Sequence, residues 1–132
     1  MKIIADTNVL LRFFLSDDAA QHQSALAVMK QSETVVMTNV ALCEFAWVLR
    51  SRYKVARADI ADAIVRLREA SNAVMDSAAV DAGLAVLATG GDFADGVLSY
   101  EGRWLGGESF VSFDKKAVAA ITGQGHQARC LE

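Results

Sequence analysis

Four acidic residues stand where composition gives no reason for them. Asp6 ends the apolar run MKIIA, Glu44 is the one charged residue between Val40 and Leu49 in NVALCEFAWVLR, Asp95 falls in the first turn of DFADGVL, and Asp114 ends ESFVSF. Three or four carboxylates without an indicated His or Cys partner suit hard divalent cations such as Mg²⁺ or Mn²⁺, which take oxygen ligands and keep bound waters. A site of that kind serves phosphoryl chemistry, because the ion lowers the pKa of a bound water and a metal pair stabilises attacking and leaving oxygens at phosphorus.

Each acid also has a structural reading. Asp6 and Asp114 can be N-caps between strand and helix, and Asp92 with Asp95 imitates a capping box. Glu44 is harder to explain in that way. Its neighbours at three and four positions, Val40, Ala41, Trp47 and Val48, offer no basic partner. The helix reads as apolar almost all the way round, so Glu44 is expected to be buried, at a cost of several kcal/mol unless a cation pairs with it. Four separate structural roles are a larger coincidence than one shared site.

The elements that must position these acids follow from pattern. Met1 to Ala5 and Glu33 to Thr38 are β-branched runs that predict strands, with shorter strands at Asn72 to Met75 and Glu108 to Phe113. Helices are predicted from Asn8 to Leu15, after Ser16-Asp17-Asp18, from Thr38 or Asn39 through Arg50, from Arg57 to Ala70, from Asp76-Ser77 to Ala88, from Asp92, and over KKAVAAI. Gly96 weakens the first turn after Asp92, and Gly102 is expected to end that helix early. Alternation of strands and helices predicts an α/β fold with a parallel sheet flanked by helices, and strand C-termini in such a sheet share one edge. Asp6 and Asp114 are expected to face one crevice there.

At 132 residues the chain is expected to form a single domain over 1–132, with a loose tail from Gly123 to Glu132. The 53% hydrophobic and 22% charged content excludes disorder, and no apolar run approaches the roughly 20 residues that cross a bilayer, so a soluble protein is expected. Asp6 interrupts the N-terminal apolar run too early for a signal peptide, which points to the cytoplasm. Cys43 and Cys130 are too far apart in sequence to suggest a zinc pair or a disulfide framework. GG at 90–91 and at 106–107 matches neither a dinucleotide fingerprint nor a P-loop, and Asn8 stands where a dehalogenase-type phosphatase needs a second aspartate.

The ordered set ADTNVLLRFFL, NVALCEFAWVLRSRY, GGDFADGVLS and VSFDKKA resembles the PIN-domain ribonucleases, most closely the VapC toxins of bacterial toxin–antitoxin pairs, over nearly the whole chain. The resemblance implies a three-layer fold with a central, mainly parallel sheet of about four strands. It implies metal-binding and catalytic roles for Asp6, Glu44, Asp95 and Asp114, with Asp92 as a further ligand candidate and Thr7 and Asn8 as supporting groups. The implied activity is hydrolysis of RNA phosphodiesters with one or two Mg²⁺ or Mn²⁺ ions, leaving a 5′-phosphate and a 3′-hydroxyl. The implied partners are RNA, a cognate antitoxin and a second copy of the chain. A nuclease of RNA maturation and a non-catalytic α/β binding module are the alternatives. Two departures bear on the substrate groove: GVLSYEGRWLGG follows Asp95 where relatives are rich in alanine, and Ala117 and Val118 stand where an aromatic is common.

The net charge of −3 argues weakly against a nucleic-acid partner. Two divalent ions add four positive charges and turn −3 into +1, which removes the repulsion at the site. Arg12, Arg50, Arg52, Lys54, Arg103, Lys115 and Lys116 flank the motif segments and are candidates for holding an RNA backbone. Trp104 has both a base-stacking reading and a core or interface reading.

Overall fold

The computed structural model describes residues 1–132, whose contacts group into two compact units, Met1–Asp76 and Ser77–Glu132.

In the first unit, β1 (Lys2–Ile4), β2 (Thr34–Val36) and β3 (Ala73–Val74) form a parallel sheet in the order β1-β2-β3, with Ile3 opposite Val35 and Val35 opposite Ala73. Parallel neighbours need long crossovers, and helices supply them. Between β1 and β2 run α1 (Thr7–Phe14) and α2 (Ala19–Gln31), separated by the predicted Ser16-Asp17-Asp18 break. Asp18 caps α2 by accepting from the Gln21 amide at 3.0 Å. Between β2 and β3 run α3 (Asn39–Ser51) and α4 (Arg57–Glu69). Thr38 caps α3 by accepting from the Ala41 amide at 3.2 Å. The face Leu42, Phe45, Ala46 and Leu49 is buried, and the Phe14 ring meets Phe45 edge-on at 6.2 Å. The α4 face that periodicity selects, Ile60, Ala63, Ile64 and Leu67, is buried. Asn72 donates to the Met29 and Ser32 carbonyls at 2.8 and 3.0 Å and so ties the end of α2 to the start of β3.

The second unit holds α5 (Ser77–Ala88), α6 (Phe93–Trp104), β4 (Ser109–Ser112), α7 (Lys115–Gly123) and β5 (Gln127–Cys130). The expected loose tail is replaced by β5, which pairs in parallel with β4, Ser109 opposite Gln127 and Ser112 opposite Cys130. Gly125 is not slack: at φ +86 it makes the left-handed turn that brings the chain back from α7. Phe110 and Ala128 then pack on buried Val86, Ala120 and Ile121. The fold is α/β with parallel pairing throughout, but in place of one central sheet of about four strands it has a three-stranded sheet, β1-β2-β3, and a two-stranded sheet, β4-β5, so the strands that precede Asp6 and Asp114 belong to different sheets. No helix is long and apolar enough to cross a membrane.

Glycines in α5 and α6 set how closely those two helices pack. A Cβ at Gly96 would run into the Ala82 carbonyl, and one at Gly83 would lie 2.6 Å from the Phe93 ring. Gly96 therefore does not weaken α6 without return; it lets α6 touch the α5 backbone. Gly102 does not end the helix, which continues to Trp104, and a Cβ there meets nothing. Gly96→Ala is expected to destabilise the protein by about 1–3 kcal/mol through overpacking against an unyielding backbone. Gly102→Ala is expected to be neutral or to stabilise by up to about 1 kcal/mol through helix propensity. Urea unfolding midpoints of the two variants check this contrast.

Candidate functional site

The first unit carries two of the four acids. Asp6 stands at the N-cap position of α1 with extended backbone, yet its side chain makes no capping hydrogen bond. The carboxylate is exposed, and Thr7 and Asn8 begin the helix directly after it. Glu44 is not buried, which corrects the expectation drawn from its apolar surroundings. It lies on the exposed side of α3, opposite the buried Phe45 and Leu49 stripe and in line with Val40 (70% exposed) and Trp47 (60% exposed). The helix is apolar all round because its solvent face also carries large apolar side chains. The Glu44 carboxylate therefore suffers no burial penalty, and it makes neither an ion pair nor a side-chain hydrogen bond.

The second unit carries the other acids. Asp92 and Asp95 form the capping box of α6, the Asp92 side chain accepting from the amide at position 95 and Asp95 Oδ2 accepting from the Asp92 amide at 3.4 Å. Asp114 caps α7, its Oδ1 accepting from the Lys116 and Ala117 amides at 3.0 and 3.2 Å. The structural readings of Asp92, Asp95 and Asp114 are thus realised. They do not use up the carboxylates, since Asp95 and Asp114 each bring one oxygen to these bonds. Desolvation raises the pKa of Asp95, and the negative charges of Asp92 and Asp114 raise it further against the lowering effect of its hydrogen bond from Asp92. These three acids feel one another, and a cation beside Asp95 would relieve both burial and repulsion.

Within neither unit do three His, Cys, Asp or Glu side chains stand close enough to hold one metal ion together. Each unit offers carboxylate oxygens of the kind a hard divalent cation takes, uncommitted on Asp6 and Glu44 in the first unit and desolvated among like charges on Asp95 in the second.

The basic candidates divide in the same way. Arg12 is committed, to Asp17 at 2.5 Å and to the Tyr53 hydroxyl at 3.0 Å, so it braces α1 rather than offering a free phosphate ligand. Arg103 is half-buried and donates to Ser99 Oγ at 2.7 Å. Arg50 is half-buried, whereas Arg52, Lys54, Lys115 and Lys116 are exposed. Trp104 is 81% exposed, which removes its core reading. The exposure of Trp47 was signalled by its spacing, because a residue three positions after the lone charge of a helix shares that charge's face.

A family model of the PIN domain matches residues 3–118, a span that contains all five acids and ends before β5. The chain belongs to the PIN domain family, whose members are generally nucleases. No curated protein matches the chain.

The raised Asp95 pKa gives a signed prediction. Because the folded value lies above the ordinary 3.8, the native state takes up this proton first, and the group's contribution to stability falls as pH rises through that window. In metal-free buffer at neutral pH, Asp95→Asn should be at least as stable as the wild type, since Asn can still accept the Asp92 amide. That advantage should shrink as pH falls through the raised pKa. Melting temperatures of both proteins across pH 3–7, a range set by the ordinary carboxylate values, check it.

Proposed function

We propose that this PIN-domain protein is a Mg²⁺- or Mn²⁺-dependent endoribonuclease that acts in the cytoplasm as the toxin of a type II toxin–antitoxin pair. The observation that carries the nuclease reading is Asp6. It occupies the position of a helix cap and caps nothing, so its charge is left for another ligand. Glu44 supports the same reading from a rigid helix, exposed and without a counter-charge.

In this reading Asp6, Glu44, Asp95 and Asp114 supply the oxygen ligands, and Thr7 and Asn8 support Asp6 from the first turn of α1. Asp92 acts chiefly by capping α6, which holds Asp95 in place. These oxygens would hold a divalent ion, which would supply a water of lowered pKa and charge stabilisation at the phosphate, and attack at phosphorus with departure of the 3′-oxygen would leave a 5′-phosphate and a 3′-hydroxyl. The protein's own contribution is to fix the carboxylates on helix starts and on one helix interior before the substrate arrives. In this reading the helical surfaces of α2 and α4 are the ones that pair with an antitoxin and with a second copy.

Glu44→Gln and Asp6→Asn are expected to lower RNA cleavage by at least about a hundredfold while leaving melting temperature unchanged or higher in metal-free buffer, because each removes an unpaired charge. Cleavage of a labelled RNA measures this, and full activity in Glu44→Gln would sink the site. Expression of the wild type should arrest growth, and Asp6→Asn should relieve the arrest. Cleavage without growth arrest would instead mark a maturation nuclease.

A further inference from the structure

The structure leaves Trp47 60% exposed on the face of α3 that carries Glu44. Side chains on a helix lean toward its N-terminus, so the indole at 47 leans over the turn bearing Glu44, about 4.5 Å back along the axis. The sequence beyond Glu44 changes character. From Phe45 to Ala58 there is no acid and there are four basic residues, Arg50, Arg52, Lys54 and Arg57, in a chain whose net charge is −3. Arg52 and Lys54 are exposed and make no ion pair. Lys54 takes φ +56, a left-handed conformation that glycine adopts more cheaply, so the turn after α3 holds a cation where a neutral residue would fit better.

An exposed aromatic followed by a basic run is the composition of a single-strand nucleic-acid track, in which a base stacks on the ring and cations follow the backbone. We infer that Trp47 is a stacking platform for an unpaired base of the RNA strand whose phosphodiester Glu44 helps to cleave, with Arg52 and Lys54 holding the neighbouring phosphates. The inference rests on the nuclease reading and adds to it the residues that hold the strand beside Glu44. Trp104 is the weaker platform, because the stretch from Leu105 to Asp114 that follows it holds Glu108 and Asp114 and no basic residue to follow a backbone. Charge complementarity also favours RNA over an apolar protein partner on this face, since Trp47 leads into a cationic segment.

The test uses the full chain with Trp104→Phe, which leaves Trp47 as the sole tryptophan. Its fluorescence is titrated in EDTA with a mixed-sequence single-stranded 20-mer RNA and with the same RNA annealed to its complement. Saturable quenching by the single strand and little by the duplex is expected. Lys54→Gly should weaken the binding and lower the slope of log affinity against log salt by about 0.7 while leaving the fold at least as stable. Cleavage by Trp47→Ala should fall about ten- to a hundredfold, mainly in KM, with partial recovery in Trp47→Phe.

Equal quenching by duplex, or no quenching, would overturn the inference. So would Trp47→Ala cleaving like the wild type while Glu44→Gln is inactive, a result that leaves the nuclease reading standing. A Trp47→Ala chain that changes from dimer to monomer by light scattering would assign the face to a second copy and overturn it too. An active Glu44→Gln would instead remove the underlying reading.

Discussion

An aspartate just before a helix faces unsatisfied amides, and its carboxylate either caps them or stays free for another ligand. That choice organises this protein. Asp18 and Asp114 cap the helices that follow them, and Asp92 with Asp95 closes a capping box, whereas Asp6 in the same kind of position caps nothing. A helix start that forgoes a cap loses about 1 kcal/mol of stabilisation, and a free carboxylate at β1–α1 is what that loss leaves available.

The second unit shows the complementary solution, in which structural and chemical duties are laid on the same groups. Capping fixes Asp95 and Asp114 to helix starts, and the close approach of α5 and α6 through Gly83 and Gly96 half-buries Asp95 near two like charges. The cost of that arrangement is electrostatic, and it is the raised Asp95 pKa that records it. A divalent cation reverses the sign of the interaction, so the residues that destabilise the metal-free protein are suited to bind an ion.

Much of this was legible in the sequence, because the signals were local. The β-branched runs, the capping residues and the α4 face marked the elements close to their observed bounds, and Asp114 and the pair Asp92 and Asp95 were readable as caps. The misses were of a different kind. Glu44 looked buried because its neighbours were apolar, but apolar residues need not be inside, and Val40 and Trp47 are not. The lone charge was the better guide to which side of α3 faces solvent. β5 was read as slack because Gly123 and Gly125 precede it, whereas its pairing with a parallel strand is a long-range contact that local pattern does not report. Gly96 was read for helix propensity alone, and its helix-to-helix contact cannot be inferred from α6 by itself.

The central claim is that these carboxylates are cation ligands as well as caps. Its most direct measurement is the pKa of Asp95 by carboxyl-carbon NMR, with and without saturating Mg²⁺. The account predicts a value above the ordinary 3.8 in the metal-free protein and a fall below it when the ion is added. A titration curve that Mg²⁺ leaves unchanged would contradict it.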